Sequence, residues 1–131
     1  MTPEKIAAAH KAMTELGSVV FPYRVARQVA GLKKRLAEEV QAVVDLEKAL
    51  AEQYGGKRQP SGAYRFESAE KTAEYLEAHK MAMEEDDPSI TFRPVDLSKY
   101  VNQISLSAAS VEALEGFVIF EEGNDDGRQA N

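Results

Sequence analysis

From Pro22 to Tyr54 the chain runs without an internal proline, and Gly55-Gly56 closes the run. Within it Val25, Val29, Leu32, Leu36, Val40, Val43, Leu46 and Leu50 recur every three or four residues. That spacing predicts one long amphipathic helix with a single apolar stripe. At ~1.5 Å per residue it would form a rod of ~50 Å. A compact domain of this length is only ~36 Å across. Either Gly31 bends the rod, or the molecule is elongated and part of the stripe needs a partner.

Shorter elements are placed around this rod by local signals. Thr2 as N-cap, Pro3 and Glu4 predict a first helix, with Ile6, Ala9, Met13 and Leu16 on one face and Gly17 as its stop. Ser18 to Phe21 reads as a short apolar connection. After a polar loop around Pro60, residues 63–66 read as a strand. Ser68 caps a third, acidic helix through about Glu84, with Ala69, Thr72, Leu76 and Met83 as its weak inner face. Asp86-Asp87-Pro88 breaks it. Residues 89–95 alternate and read as a strand pairing with 63–66 in an antiparallel ribbon. A short helical turn follows near Tyr100, then a fourth helix over 107–115 using Val111 and Leu114. Phe117-Val118-Ile119-Phe120 is the most apolar run and should dock on the core.

The expected class is α+β, mainly α: an N-terminal helical hairpin with one long helix, a small two-stranded antiparallel ribbon and peripheral helices. Residues 1–120 read as a single domain, and 121–131 as a disordered acidic tail. The opening residues look like a polar helix start rather than a secretion signal. No run of about 18 apolar residues predicts a membrane span.

Composition excludes several kinds of chemistry. Cysteine is absent and there are two histidines, His10 and His79. Thiolate nucleophiles, disulfides and Cys-ligated metals are therefore ruled out. A histidine-based metal site is not expected, because His10 and His79 stand far apart in sequence. No phosphate-binding glycine loop and no nucleophile elbow occurs. Ser68-Ala69-Glu70-Lys71 fits a loose Ser-x-x-Lys pattern but lacks the companion motifs, and Ser68 reads as a helix cap. Glu39 falls near the inner seam of the long helix, where an ion pair with Arg35 or a partner lysine is expected. Glu84, Glu85, Asp86 and Asp87 are acidic enough to attract calcium but lack the alternating ligands of a calcium loop. They read as a solvated helix end. No catalytic residue, metal, cofactor or small-molecule substrate is expected. An enzyme assembled from Glu39, Glu70 and Arg65 stands as a minor alternative.

The formal net charge of −6 conceals an uneven distribution. Residues 1–83 carry 13 basic and 11 acidic side chains, whereas 84–131 carry 3 and 11. The basic half of the long helix, with Arg24, Arg27, Lys33, Lys34 and Arg35 and no acid between Pro22 and Leu36, is the strongest local signal. Arg24, Arg27, Lys34 and Arg35 can share one side. They could contact an acidic protein patch, bind phosphate, form a plain solvated face, or dock the acidic third helix or tail. No aromatic residues interleave with them for base stacking. The candidate interaction surface is thus Arg24, Arg27, Lys34 and Arg35, with Glu84, Glu85, Asp86 and Asp87 as its acidic counterpart.

Taken in order, residues 50–56 (Leu-Ala-Glu-Gln-Tyr-Gly-Gly), 62–66 (Gly-Ala-Tyr-Arg-Phe), 90–98 (Ile-Thr-Phe-Arg-Pro-Val-Asp-Leu-Ser) and 110–117 (Ser-Val-Glu-Ala-Leu-Glu-Gly-Phe) form a pattern. It resembles small proteins encoded by tailed bacteriophages and prophages. The resemblance covers roughly residues 3–121 and rests on order and spacing. It implies a phage-encoded protein in the host cytoplasm or the virion, and it carries no catalytic residues. Together with the over-long helix and the split charge, it leads to a non-enzymatic protein–protein interaction protein, a virion structural or assembly component. The alternatives are an inhibitor of host defence or of a host enzyme acting by binding, and a nucleic-acid-binding accessory protein. Self-association through the long helix is also expected.

Overall fold

The computed structural model describes residues 1–16 and 19–121. The expected stop at Gly17, the Ser18 end of the connection and the tail beyond Glu121 lie outside the described residues.

Helix α1 spans Pro3–Met13 and continues as a 3-10 turn over Thr14–Leu16. Thr2 caps it: its hydroxyl accepts from the Lys5 backbone N–H at 3.1 Å. Ile6, Ala9, Met13 and Leu16, the expected inner face, are all buried. Helix α2 spans Tyr23–Gln53 and passes through Gly31 without interruption. Its 31 residues correspond to about 46 Å.

The end of α2 uses two adjacent glycines for different reasons. Gly55 adopts a positive φ of 77°, a conformation costly for residues with a Cβ. Its N–H donates to the Glu52 carbonyl, and the Gly56 N–H donates to the Ala51 carbonyl at 2.7 Å. This is the paired closure of a Schellman motif. At Gly56 the reason is space, because a Cβ there would lie 2.6 Å from a ring carbon of Phe66.

Strands β1 (Lys57–Arg58) and β2 (Tyr64–Arg65) then form an antiparallel ribbon, Lys57 opposite Arg65 and Arg58 opposite Tyr64. Helix α3 follows over Ala69–Met83, with the Ser68 hydroxyl accepting from the Lys71 N–H at 3.1 Å. Strand β3 (Val95–Asp96), a 3-10 segment (Ser98–Gln103), α4 (Ala108–Ala113) and β4 (Val118–Ile119) complete the described chain. Strands β3 and β4 pair in parallel, Val95 with Val118 and Asp96 with Ile119.

The mainly α class with a two-stranded antiparallel ribbon is the one expected, but the ribbon's partners differ. Residues 64–65 pair with 57–58 rather than with 89–95. Closing the short loop around Gly62 costs less chain entropy than joining strands across a whole helix. Residues 89–94 are not a strand. Pro94 has no N–H to donate to a ladder, and Ile90 and Phe92 pack against the core from an irregular segment.

Apolar burial falls into two regions along α2. Around its N-terminal half, Val29, Leu32 and Leu36 pack with α1, Val95, Leu97, Leu114, Phe117 and Val118. The run at 117–120 docks as expected through Phe117 and Val118, while Ile119 is exposed. Around the C-terminal half, Val43, Ala51 and Tyr75 are buried outside that cluster. Tyr75 packs on Phe66 (ring centres 4.8 Å apart) and Tyr64 (6.3 Å). One helix thus spans both regions. Along the stripe, Leu46 is the residue left exposed.

Two inner faces are corrected. On α3 the buried residue is Tyr75, while Leu76 is 57% exposed. The aromatic partners supplied by β2 and Phe66 turn the helix by one residue relative to its weak apolar pattern. At α4, the C-cap Leu114 is fully buried but Val111 is exposed, and Ser110 takes the inner position. The Ser110 hydroxyl donates to Glu15, which removes the cost of burying it.

Candidate functional site

Arg24, Gln28, Gly31 and Arg35 lie four, three and four residues apart, which aligns them along one side of α2. The segment 92–95 lies across from them. Between the two is an open groove of about 400 Å³, lined by both sets of residues together with Leu32. Arg24, Arg35 and Arg93 therefore converge on one concavity from two distant parts of the sequence. Its apolar part is formed by Leu32 and Val95, both buried, with Phe92 and Pro94.

Arg35 is held in place by stacking. Its guanidinium carbon is 4.3 Å from the centre of the Phe92 ring. Phe92 in turn meets the buried Phe117 edge-on, with centres 5.0 Å apart. On the next face of α2, the Arg27 guanidinium lies 5.8 Å from the Tyr23 ring centre. Tyr23, Arg24, Arg27 and Gln28 line a second shallow hollow of about 370 Å³. Arg24 is common to both. Stacked guanidinium groups keep their hydrogen-bonding forks free for carboxylates or phosphates.

No carboxylate lines either hollow. Among the described residues, no salt bridge involves Arg24, Arg27, Lys34, Arg35 or Arg93. The ion pair expected between Glu39 and Arg35 does not form, because Arg35 turns to Phe92 instead. Helix α3 does not cover this face; it packs by Tyr75 and by His79, which meets Glu47 at 2.7 Å on the other half of α2.

The sequence candidates are only partly brought together. Arg24 and Arg35 share the groove, Arg27 lies beside it, and Lys34 is exposed and lines neither hollow. Arg93 was not legible as a member. It is a lone cation in a segment with strand-like alternation, and its place depends on how that segment packs against α2. Rings do meet two of the arginines: Tyr23, four residues before Arg27 in α2, and Phe92, delivered to Arg35 by a segment some 60 residues later that the spacing in α2 does not reveal.

The acidic candidates serve local structure. Glu84 is the C-cap position of α3 and Glu85 is exposed. Asp86 pairs with the Met1 amine. Asp87 accepts from the Ser89 hydroxyl at 2.6 Å and from the Ser89 N–H at 3.0 Å, and these bonds hold its carboxyl below its ordinary pKa. No group of three or more His, Asp or Glu side chains suited to a metal occurs among the described residues. Glu39, Glu70 and Arg65 share no described hollow; the one containing Arg65 is lined by Gly55, Lys57, Gln59, Phe66 and Glu67. No helix among the described residues is long and apolar enough to cross a membrane.

No protein-family model matches the chain, and neither a curated protein nor a solved structure matches it.

Proposed function

We propose that this chain is a non-enzymatic protein–protein interaction protein whose arginine face receives an acidic surface of a partner. The observation that carries this reading is the convergence of Arg24, Arg35 and Arg93 on one groove with no carboxylate in its lining. Guanidinium forks bind carboxylates in a bidentate manner, and stacking on Phe92 lowers the ordering cost for Arg35. The basic run favours a protein patch over a nucleic-acid track. Arg24 to Arg35 covers about 17 Å of helix, and Glu38 and Glu39 follow in the next turn. A chain of phosphates would meet repulsion there.

The resemblance in order and spacing to small phage proteins supports a phage-encoded protein acting as a virion structural or assembly component. An inhibitor of a host enzyme would use the same surface. Pull-downs from host extract and from purified particles, comparing the wild-type chain with an Arg24→Glu/Arg27→Glu variant, test the reading. A protein retained by the first and lost by the second is the expected result. A folded wild-type chain that retains nothing in either material overturns it. Stoichiometric copies in purified particles separate the assembly component from the inhibitor.

A further inference from the structure

Gly31 lies on an exposed turn inside a long helix, where glycine weakens the helix relative to alanine. Its backbone needs no special conformation, and a Cβ there would meet no atom within 4 Å. Neither local geometry nor tight packing accounts for it. Gly31 lines the groove together with Arg24, Leu32, Arg35, Pro94 and Val95, and presents no side chain to it. The result is a cleft with cationic ends and an apolar centre.

We propose that this cleft is a receptor for a short acidic segment of a protein partner that carries an apolar side chain between its carboxylates, and that Gly31 determines this specificity. The proposal rests on the protein-binding reading above and names the chemistry of the partner. The dimensions agree with it. The two arginines of α2 are about 17 Å apart along the helix, which an extended peptide covers in about five residues. Carboxylates at either end of such a segment reach Arg24 and Arg35, Arg93 takes a further carboxylate from the facing wall, and the central apolar side chain lies over Leu32 and Val95. Opposite charge orients the segment, and burial of its central residue adds affinity that charge alone does not supply.

Two synthetic pentapeptides test this by fluorescence anisotropy at low salt: two glutamates on each side of a phenylalanine, and the same sequence with a central glycine. The phenylalanine peptide is expected to bind about tenfold tighter. Gly31→Leu fills the centre without altering charge. It is expected to remove that tenfold advantage while leaving the glycine peptide within about twofold of wild type, with thermal unfolding unchanged or raised. Equal binding of the two peptides by the wild-type chain overturns the inference, and so does a Gly31→Leu variant that keeps the preference. A single-stranded oligonucleotide of matched charge that binds more tightly and displaces the phenylalanine peptide also overturns it, in favour of a nucleic-acid ligand. If neither peptide binds, the arginine face itself fails as an acidic-protein site. Glycine-peptide binding without a phenylalanine preference leaves the face standing and removes only the cleft.

Discussion

The guanidinium of Arg35 is stacked over Phe92 at 4.3 Å, and Phe92 is braced in turn by Phe117, which is fully buried. A charged side chain on the surface is thereby positioned by the hydrophobic core through a single intermediate ring. The pair also joins α2 to a segment that precedes β3, and so sets one wall of the groove against the other.

Replacing Arg35 with alanine should therefore reduce stability, although its charge is exposed. A cation–π contact at such a site is worth about 0.5–1 kcal/mol. A double-mutant cycle with Phe92→Leu, followed by urea denaturation, should show that Arg35→Ala costs less once the ring is gone. Strictly additive losses would mean that the stack contributes nothing.

Glycines 31 and 56 should respond oppositely to alanine. At position 31 the new Cβ enters open space, and removing a helix-interior glycine should stabilise by about 0.5–1 kcal/mol. At position 56 the Cβ would collide with the Phe66 ring at 2.6 Å. The ring must then shift from its packing against Tyr75, at a cost of about 1–3 kcal/mol. Thermal melts of the two variants should shift in opposite directions.

Acid should loosen the join between the 3-10 turn after α1 and the start of α4. The Glu15 carboxylate accepts from the Ser110 hydroxyl and from the Ser107 N–H at 3.3 Å. Those bonds, the hydroxyl first, lower its pKa from the ordinary 4.5. A carboxyl depressed in the folded state contributes stability above its unfolded pKa, and loses it as pH falls through the folded one. Asp87 and Asp96 shift the same way through Ser89 and Ser98. Unfolding midpoints at neutral pH and at about pH 3 should differ less for Glu15→Gln than for the wild type.

Tyr75→Ala should release one end of the molecule. Tyr75 is 8% exposed and packs against the rings of Phe66, Tyr64 and His79. Truncating an aromatic so placed costs about 3–5 kcal/mol. Because Tyr75 lies outside the cluster around Leu36 and Phe117, hydrogen exchange should accelerate in α3 and the β1–β2 ribbon first. The α1 amides should remain protected.

Several elements were legible because their information is local. Thr2 and Ser68 cap the helices they were expected to cap, since an N-cap hydroxyl needs only the N–H three residues ahead. The α2 stripe was legible because its period extends over 31 residues. The α3 inner face is not legible in full because Ala69 and Thr72 give its apolar pattern little weight, and Tyr75 is fixed in place of Leu76 by rings from outside the helix. At the candidate site, Arg24, Arg27 and Arg35 could be found as a cluster of cations, but the groove could not, since half of it is built by residues 92–95.

What the sequence by itself determined is where α1 and α3 begin, the mainly helical class and the lack of cysteine-based chemistry. Capping, periodicity and composition act within a few residues or need no geometry at all. Only the tertiary structure decided that β2 pairs with β1, that β3 pairs in parallel with β4, and that Arg93 and Phe92 face Arg24 and Arg35. Those choices depend on competing ways of burying Phe92, Tyr75 and Phe117 against distant partners, and neighbouring residues in the chain do not record which arrangement loses least entropy and buries most surface.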